Sequence, residues 1–257
     1  RGAMSALTAR VRHVTARVPE VLAIADPFNG FSRGLPATPF LPALFAACGL
    51  PCYCHGLLEA GPKYGITLHQ VLELAGKPVN LTVQQAAERL EDGDAGWSYL
   101  DQASYIPELH QLVGLRDTMV KRTCISTLEV VLKPVSGTAR THMMTGFVHK
   151  AYPPVYAMLA RQAGFDSAMI IRGVEGGSIP SLSQVSRYFG AYGDGEVKLH
   201  RLSPAEIGIH QDERAVLVPG DLQQLSESAG YGQTHVLLPL VENTVAPFSL
   251  EEMEDEH

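Results

Sequence analysis

Short apolar runs alternate with amphipathic stretches along this chain, and each pattern points to a kind of element. Val21 to Asp26 reads as a strand that runs into the turn Pro27-Phe28-Asn29-Gly30. Thr38 to Cys48 suits a buried helix stopped by Gly49 and Pro51, and Cys52 to His55 a short strand leading into Gly56. Thr67 and Thr82 each stand one residue ahead of an amphipathic stretch, so they are expected to cap helices over 67–75 and 83–90. Thr141 to His149 is a strand candidate, and Tyr152 to Ala163 a helix with prolines in its first turn and Gly164 at its end. Ala168 to Ile171 is a near-continuous apolar run, as in a strand covered on both faces. A short helix is expected around 181–188, an edge strand over 197–202 where polarity alternates, and a last apolar strand over 235–241. Strand, loop and helix at this spacing predict one α/β domain over residues 5–245, with a largely parallel central sheet flanked by helices.

Composition narrows the function classes. The chain has 257 residues, 46% of them hydrophobic, which is enough for a sizeable core. Its 27 acidic and 20 basic residues give a formal net charge of −7. Five of the acids fall between Glu251 and Glu256; the rest of the chain has 22 acids against the same 20 bases and is nearly neutral. Residues 246–257 read as an acidic, flexible tail, and a uniformly basic surface for nucleic acid or membrane is not expected. No apolar run has the length and flanks of a membrane span. Four cysteines do not make a disulfide scaffold in a chain this long, so a soluble protein of a reducing compartment, cytoplasm or organelle interior, is expected. Cys52 and Cys54 fall on one face of a strand with no fourth ligand near, and read as buried thiols rather than metal ligands. Arg1-Gly2-Ala3-Met4 reads as a cloning scar, and the rest as possibly one piece of a longer protein.

Ligands of open parallel sheets bind beyond the carboxyl ends of the strands. Three such ends are conspicuous: Asp26 to Gly30, His55-Gly56, and Arg172-Gly173-Val174-Glu175-Gly176-Gly177. Glycines there let backbone amides approach a phosphate. Taken singly each is equally an ordinary tight turn, with Glu175 ordering the glycines rather than serving as a base.

The order of segments resembles the anthranilate phosphoribosyltransferase family, over roughly residues 20–205. The resemblance is carried by Ala37-Thr38-Pro39-Phe40 through His55-Gly56, then by Lys63-Tyr64-Gly65-Ile66-Thr67 and the helix ending at Gly76. It continues through Arg116, Arg122-Thr123, Lys133-Pro134, Thr145-Gly146-Phe147 and Arg172 to Gly176. The Arg-Gly-x-Glu-Gly form is most similar to a divergent branch whose characterised members bind nucleic acid as homodimers. The resemblance implies a fold like the C-terminal domain of that family, with the N-terminal helical region missing. It implies ligand contacts at Asn29, Gly30, Arg33, His55, Gly56, Lys63, Gly65, Thr67, Arg116, Arg122, Arg172, Gly173, Glu175 and Gly176. Of these, Arg116 inherits the position facing the aromatic carboxylate acceptor, and Arg122 is expected to brace the loop.

The departures bear on catalysis. Where the family has a Gly-Thr-Gly-Gly-Asp loop for the pyrophosphate of phosphoribosyl pyrophosphate, this chain reads Asp26 to Arg33, with one glycine, one proline and two phenylalanines. The lysine and asparagine of the Lys-His-Gly-Asn motif are Cys54 and Leu57, and the Asp-Glu pair that holds magnesium is Ser178-Ile179. Magnesium is therefore expected only if the donor site is active. The expectation is a protein with an impaired pyrophosphate and metal site that binds a phosphorylated ligand or nucleic acid, as a homo-oligomer or as a subunit of a larger assembly. An active phosphoribosyl or glycosyl transferase with an altered donor site, and a purely structural subunit, are the alternatives.

Overall fold

The computed structural model describes residues 2–119 and 121–215. The strand expected over 235–241 and the tail over 246–257 lie outside the described residues. In chain order the strands are β1 (Val14–Thr15), β2 (Glu20–Ala25), β3 (Cys52–Gly56), β4 (Trp97–Asp101), β5 (Val135–Ser136), β6 (Arg140–Gly146), β7 (Ser167–Ile171), β8 (Ser186–Tyr192) and β9 (Lys198–Leu202). Seven of them form one sheet in the order β4-β3-β2-β6-β7-β8-β9; β1 and β5 make a separate parallel pair. From β4 to β7 every pairing is parallel, and β8 and β9 extend the edge in antiparallel sense. The α/β class with a largely parallel sheet is thus what the chain folds into.

The apolar runs feed two cores. Along β2, Val21, Ala23 and Ala25 point into the larger core, and Leu22 and Ile24 into the second, on the other face. Tyr53 of β3 joins the larger core, while Cys52 and Cys54 are wholly buried in the second. Burial pushes both thiols well above their ordinary value, so they remain neutral.

Nine α-helices surround the sheet among the described residues: α1 (Gly2–Thr8), α2 (Leu41–Ala47), α3 (Leu68–Leu74), α4 (Val83–Glu91), α5 (Gln102–Tyr105), α6 (Pro107–His110), α7 (Val113–Thr118), α8 (Ile125–Leu128) and α9 (Tyr152–Gln162). Thr67 caps α3 and Thr82 caps α4, each in a reciprocal capping box with a glutamine three residues on. No helix among the described residues is long and apolar enough to cross a membrane.

Three expectations need correction. The helix after Thr38 is not buried: it opens as a 3-10 turn over Thr38–Phe40, and α2 sets Leu41 and Phe45 on the second core while Leu44 and Cys48 face outward. The segment 181–188 is not a helix: 181–185 form an irregular loop, and β8 begins at Ser186. There Phe189 and Ala191 alternate with Tyr188 and Tyr192 to opposite faces, a period-two pattern that a helix cannot use. The run over 168–171 is not covered on both faces throughout, since Met169 is 39% exposed. Gly2, Ala3 and Met4 begin α1, and Met4 is buried in the larger core.

Candidate functional site: the strand-end loops

Because β3, β2, β6 and β7 are consecutive neighbours, their carboxyl ends bring the loops after Ala25, Gly56, Gly146 and Ile171 side by side. Two of these loops meet through backbone alone. Phe31 and Ile66 exchange hydrogen bonds of 2.8 and 2.7 Å. Gly30 has a φ of +71°, and a Cβ on it would lie 2.3 Å from the Gly65 carbonyl oxygen. The turn after β7 is equally tight: a Cβ on Gly173 would lie 1.8 Å from the Gly177 carbonyl oxygen. These glycines serve close backbone packing.

The polar centre of this cluster is Glu175. Its Oε2 accepts from the Ser32 amide at 3.1 Å, the Ser32 hydroxyl at 3.2 Å and Lys63 Nζ at 2.5 Å, and its Oε1 from the Arg33 amide at 2.7 Å. Lys63 Nζ also donates to the Gly30 carbonyl at 2.8 Å. Burial pushes the Glu175 carboxyl up, but Lys63 and the two amides outweigh it and hold the group below its ordinary value. Phe31 lies buried beside them, its ring against Gly177 and 5.6 Å from Lys63 Nζ. So Gly30, Lys63, Gly65 and Glu175 come together, with Arg33 contributing its amide while its side chain is exposed.

Magnesium does not fit these residues. Ser178 is wholly buried, and both its amide and its hydroxyl donate to Asp26 Oδ1, at 2.7 and 2.8 Å. Desolvation raises the Asp26 carboxyl above its ordinary value, with the Thr38 and Ser178 groups opposing it. Glu175 is taken up by Lys63 and the amides, and no group of three His, Cys, Asp or Glu side chains among the described residues could hold a metal.

Other candidates are used in the interior. His55 is 1% exposed; its Nδ1 is 3.0 Å from the Tyr105 hydroxyl, and its ring packs edge-on against Phe28 and Tyr105. Burial brings its imidazole down to about 3. Gly56 lies fully inside β3. The Thr67 hydroxyl is spent on capping α3 and on the Leu58 carbonyl. Arg116 grips Glu129 with both guanidinium nitrogens, at 2.7 and 2.9 Å, and Gln102 Nε2 adds a third bond at 3.1 Å. Arg116 and Glu129 are both buried, so the arginine expected to face an acceptor carboxylate already holds one from its own chain. Burial pushes the Glu129 carboxyl up while Arg116 pulls it down; with two charge-assisted bonds to an arginine, we take the ionised form as the one present.

Beside the Glu175 cluster lies a cavity of about 710 Å³, between the ends of β2 and β6, residues 122–130, and α9. Its wall is apolar, with Phe28, Leu128, Phe147 and Tyr156. Asn29 Nδ2 and Thr123 Oγ1 are buried there with no hydrogen-bond partner among the described residues, and Arg122, exposed, borders it with Glu175 and Gly176. His149 and the α9 aromatics are not among the sequence candidates, whereas Arg122-Thr123 and Thr145-Gly146-Phe147 point to these two loops. Arg172 stands outside it, exposed, in a cross-strand row with Arg187 and Arg201: Arg187 pairs directly with Arg201, and the Arg172 amide donates to the Arg187 carbonyl at 2.8 Å.

No protein-family model matches the chain. It is 28% identical over 178 residues to an anthranilate phosphoribosyltransferase of Novosphingobium aromaticivorans, and 29% over 177 residues to that of Sphingopyxis alaskensis. Each match covers 68% of this chain and 51% of the relative. An uncharacterized protein of Aquifex aeolicus is 29% identical over 153 residues, 60% of this chain and 43% of its own length. Among solved structures, the Saccharomyces cerevisiae anthranilate phosphoribosyltransferase in complex with PRPP and Mg aligns with a TM-score of 0.69 at 16% identity, over 95% of this chain and 61% of that one. The Thermus thermophilus enzyme aligns with a TM-score of 0.63 at 17% identity, over 81% and 59%. The chain spans about half the length of the curated relatives it matches. In sequence and in fold, it is similar to the anthranilate phosphoribosyltransferases.

Proposed function

We propose that this chain binds a phosphorylated small molecule at the strand-end cavity and does not carry out magnesium-dependent release of pyrophosphate. The observation that carries this reading is the Glu175 carboxylate, which takes up Lys63 and the Ser32 and Arg33 amides. A departing pyrophosphate needs its developing charge neutralised. Lys63, the cation in contact with Glu175, is already paired. The cavity supplies binding rather than chemistry: an apolar wall for a ring or chain, the unpartnered Asn29 amide as a donor, and Arg122 at the border for an anionic group. Incubation with phosphoribosyl pyrophosphate, anthranilate and magnesium is expected to give no phosphoribosyl-anthranilate; magnesium-dependent turnover would sink the reading. Calorimetry with phosphoribosyl pyrophosphate is expected to show binding that weakens about tenfold in Arg122→Ala, the loss of one charge-assisted contact.

The arginine row favours a second reading, nucleic acid. Like charges directly opposite on paired strands oppose folding, and none of the three is in an ion pair among the described residues. A phosphate backbone would offset that repulsion, and its binding would fall steeply with salt. Retention of a single-stranded oligonucleotide that is unchanged in Arg187→Ala/Arg201→Ala would remove this reading.

A further inference from the structure

We propose that the cradle formed by the Ser32 and Arg33 amides, the Ser32 hydroxyl and Lys63 Nζ is an oxyanion site that the chain plugs with its own Glu175, so that a phosphate or pyrophosphate group enters only by displacing that carboxylate. This rests on the reading that the cleft takes a phosphorylated ligand, and adds where the oxyanion sits and what competes with it.

Three observations converge on the plug. First, the donor set is one that suits phosphate: two successive backbone amides, a hydroxyl and an ammonium, all on one carboxylate within 2.5–3.2 Å. Second, the donors and the carboxylate come from different strand ends. Ser32 and Arg33 follow β2, Lys63 follows β3 and Glu175 follows β7, so the contact is long-range and separable from local turn formation. Third, Glu175 sits in the left-handed region, with φ +52° and ψ 15°, in a turn that has Gly173 before it and Gly176 and Gly177 after it. A non-glycine residue held there carries backbone strain, which its side-chain contacts sustain. The same residue borders the 710 Å³ cavity, so withdrawing its carboxylate would leave Lys63 and the amides unpaired.

Two variants remove the plug: Glu175→Gln keeps the shape without the charge, and Glu175→Gly also relieves the left-handed strain, which favours folding. Calorimetry at fixed ionic strength with inorganic pyrophosphate is expected to show at least about tenfold tighter binding for both than for the natural chain. The gain should vanish in Lys63→Ala/Glu175→Gly. In the natural chain, saturating pyrophosphate should shift the Ser32 and Arg33 amide resonances, a measurement that needs no variant. Equal gains for pyrophosphate and phosphoribosyl pyrophosphate assign the site to the oxyanion alone, and a larger gain for the second assigns it to the sugar ester. Binding that is equal in the natural chain and both variants, or a gain that survives loss of Lys63, overturns the plug and leaves the ligand reading standing. No binding in any of them overturns both.

Discussion

Two carboxylate–cation contacts in this protein look alike on paper and differ in their surroundings. Arg116–Glu129 lies in the interior, its partners 4% and 0% exposed at the side chain, and it is joined by Gln102. Lys63–Glu175 lies between loops at the strand ends, 17% and 12% exposed, and its carboxylate is shared with backbone amides. Removing one partner of the first strands a charge in the core; removing one partner of the second leaves a group that water reaches. The first is therefore a structural element and the second a replaceable one. Both involve residues to which the family resemblance assigns a ligand's negative charge, but only the second lies where solvent reaches its partners.

The strongest test of that contrast is to break the interior pair. Glu129→Gln or Arg116→Met is expected to cost about 3–5 kcal/mol in urea unfolding, while Arg116→Met/Glu129→Leu regains most of it, because no charge is left unpaired. A second test uses acid. Burial holds His55 neutral down to about 3, against 6.5 ordinarily, so the unfolded chain binds a proton that the folded chain refuses between those values. The contribution is fully present above about pH 6.5 and is lost as pH falls towards about 3, on the order of a few kcal/mol. In His55→Phe that slope of stability with pH should flatten; an unchanged slope would assign acid sensitivity to other groups. The smallest effect belongs to the strand-end pair. Lys63→Met is expected to cost about 1 kcal/mol, and the difference from the natural chain should shrink further in 0.5 M salt. A cost as large as that of Glu129→Gln would erase the distinction drawn between the two contacts.

Much of the scaffold was legible because it rests on local chemistry. The capping threonines Thr67 and Thr82, the stop at Gly164 and the run Val21–Ala25 each act within a few residues, and each sits in the structure where its pattern places it. The strand at Trp97–Asp101 was not anticipated, since a five-residue edge strand with a serine at its second position has little periodicity to read. The helix expected around 181–188 failed for a related reason: β8 exists through antiparallel pairing with β7 and β9, which no local signal announces.

What the sequence by itself determined was the alternation of elements and the parallel α/β class. Those follow from residue type and spacing. What only the tertiary structure decided was the fate of the charges and rings that remained. His55 turned inward to Tyr105, Arg116 found Glu129, and Glu175 crossed from β7 to the loop after β2. Contacts such as Glu175 with Ser32 span more than a hundred residues. They are set by which strand ends become neighbours, and strand order is a property of the packed sheet rather than of any segment of the chain.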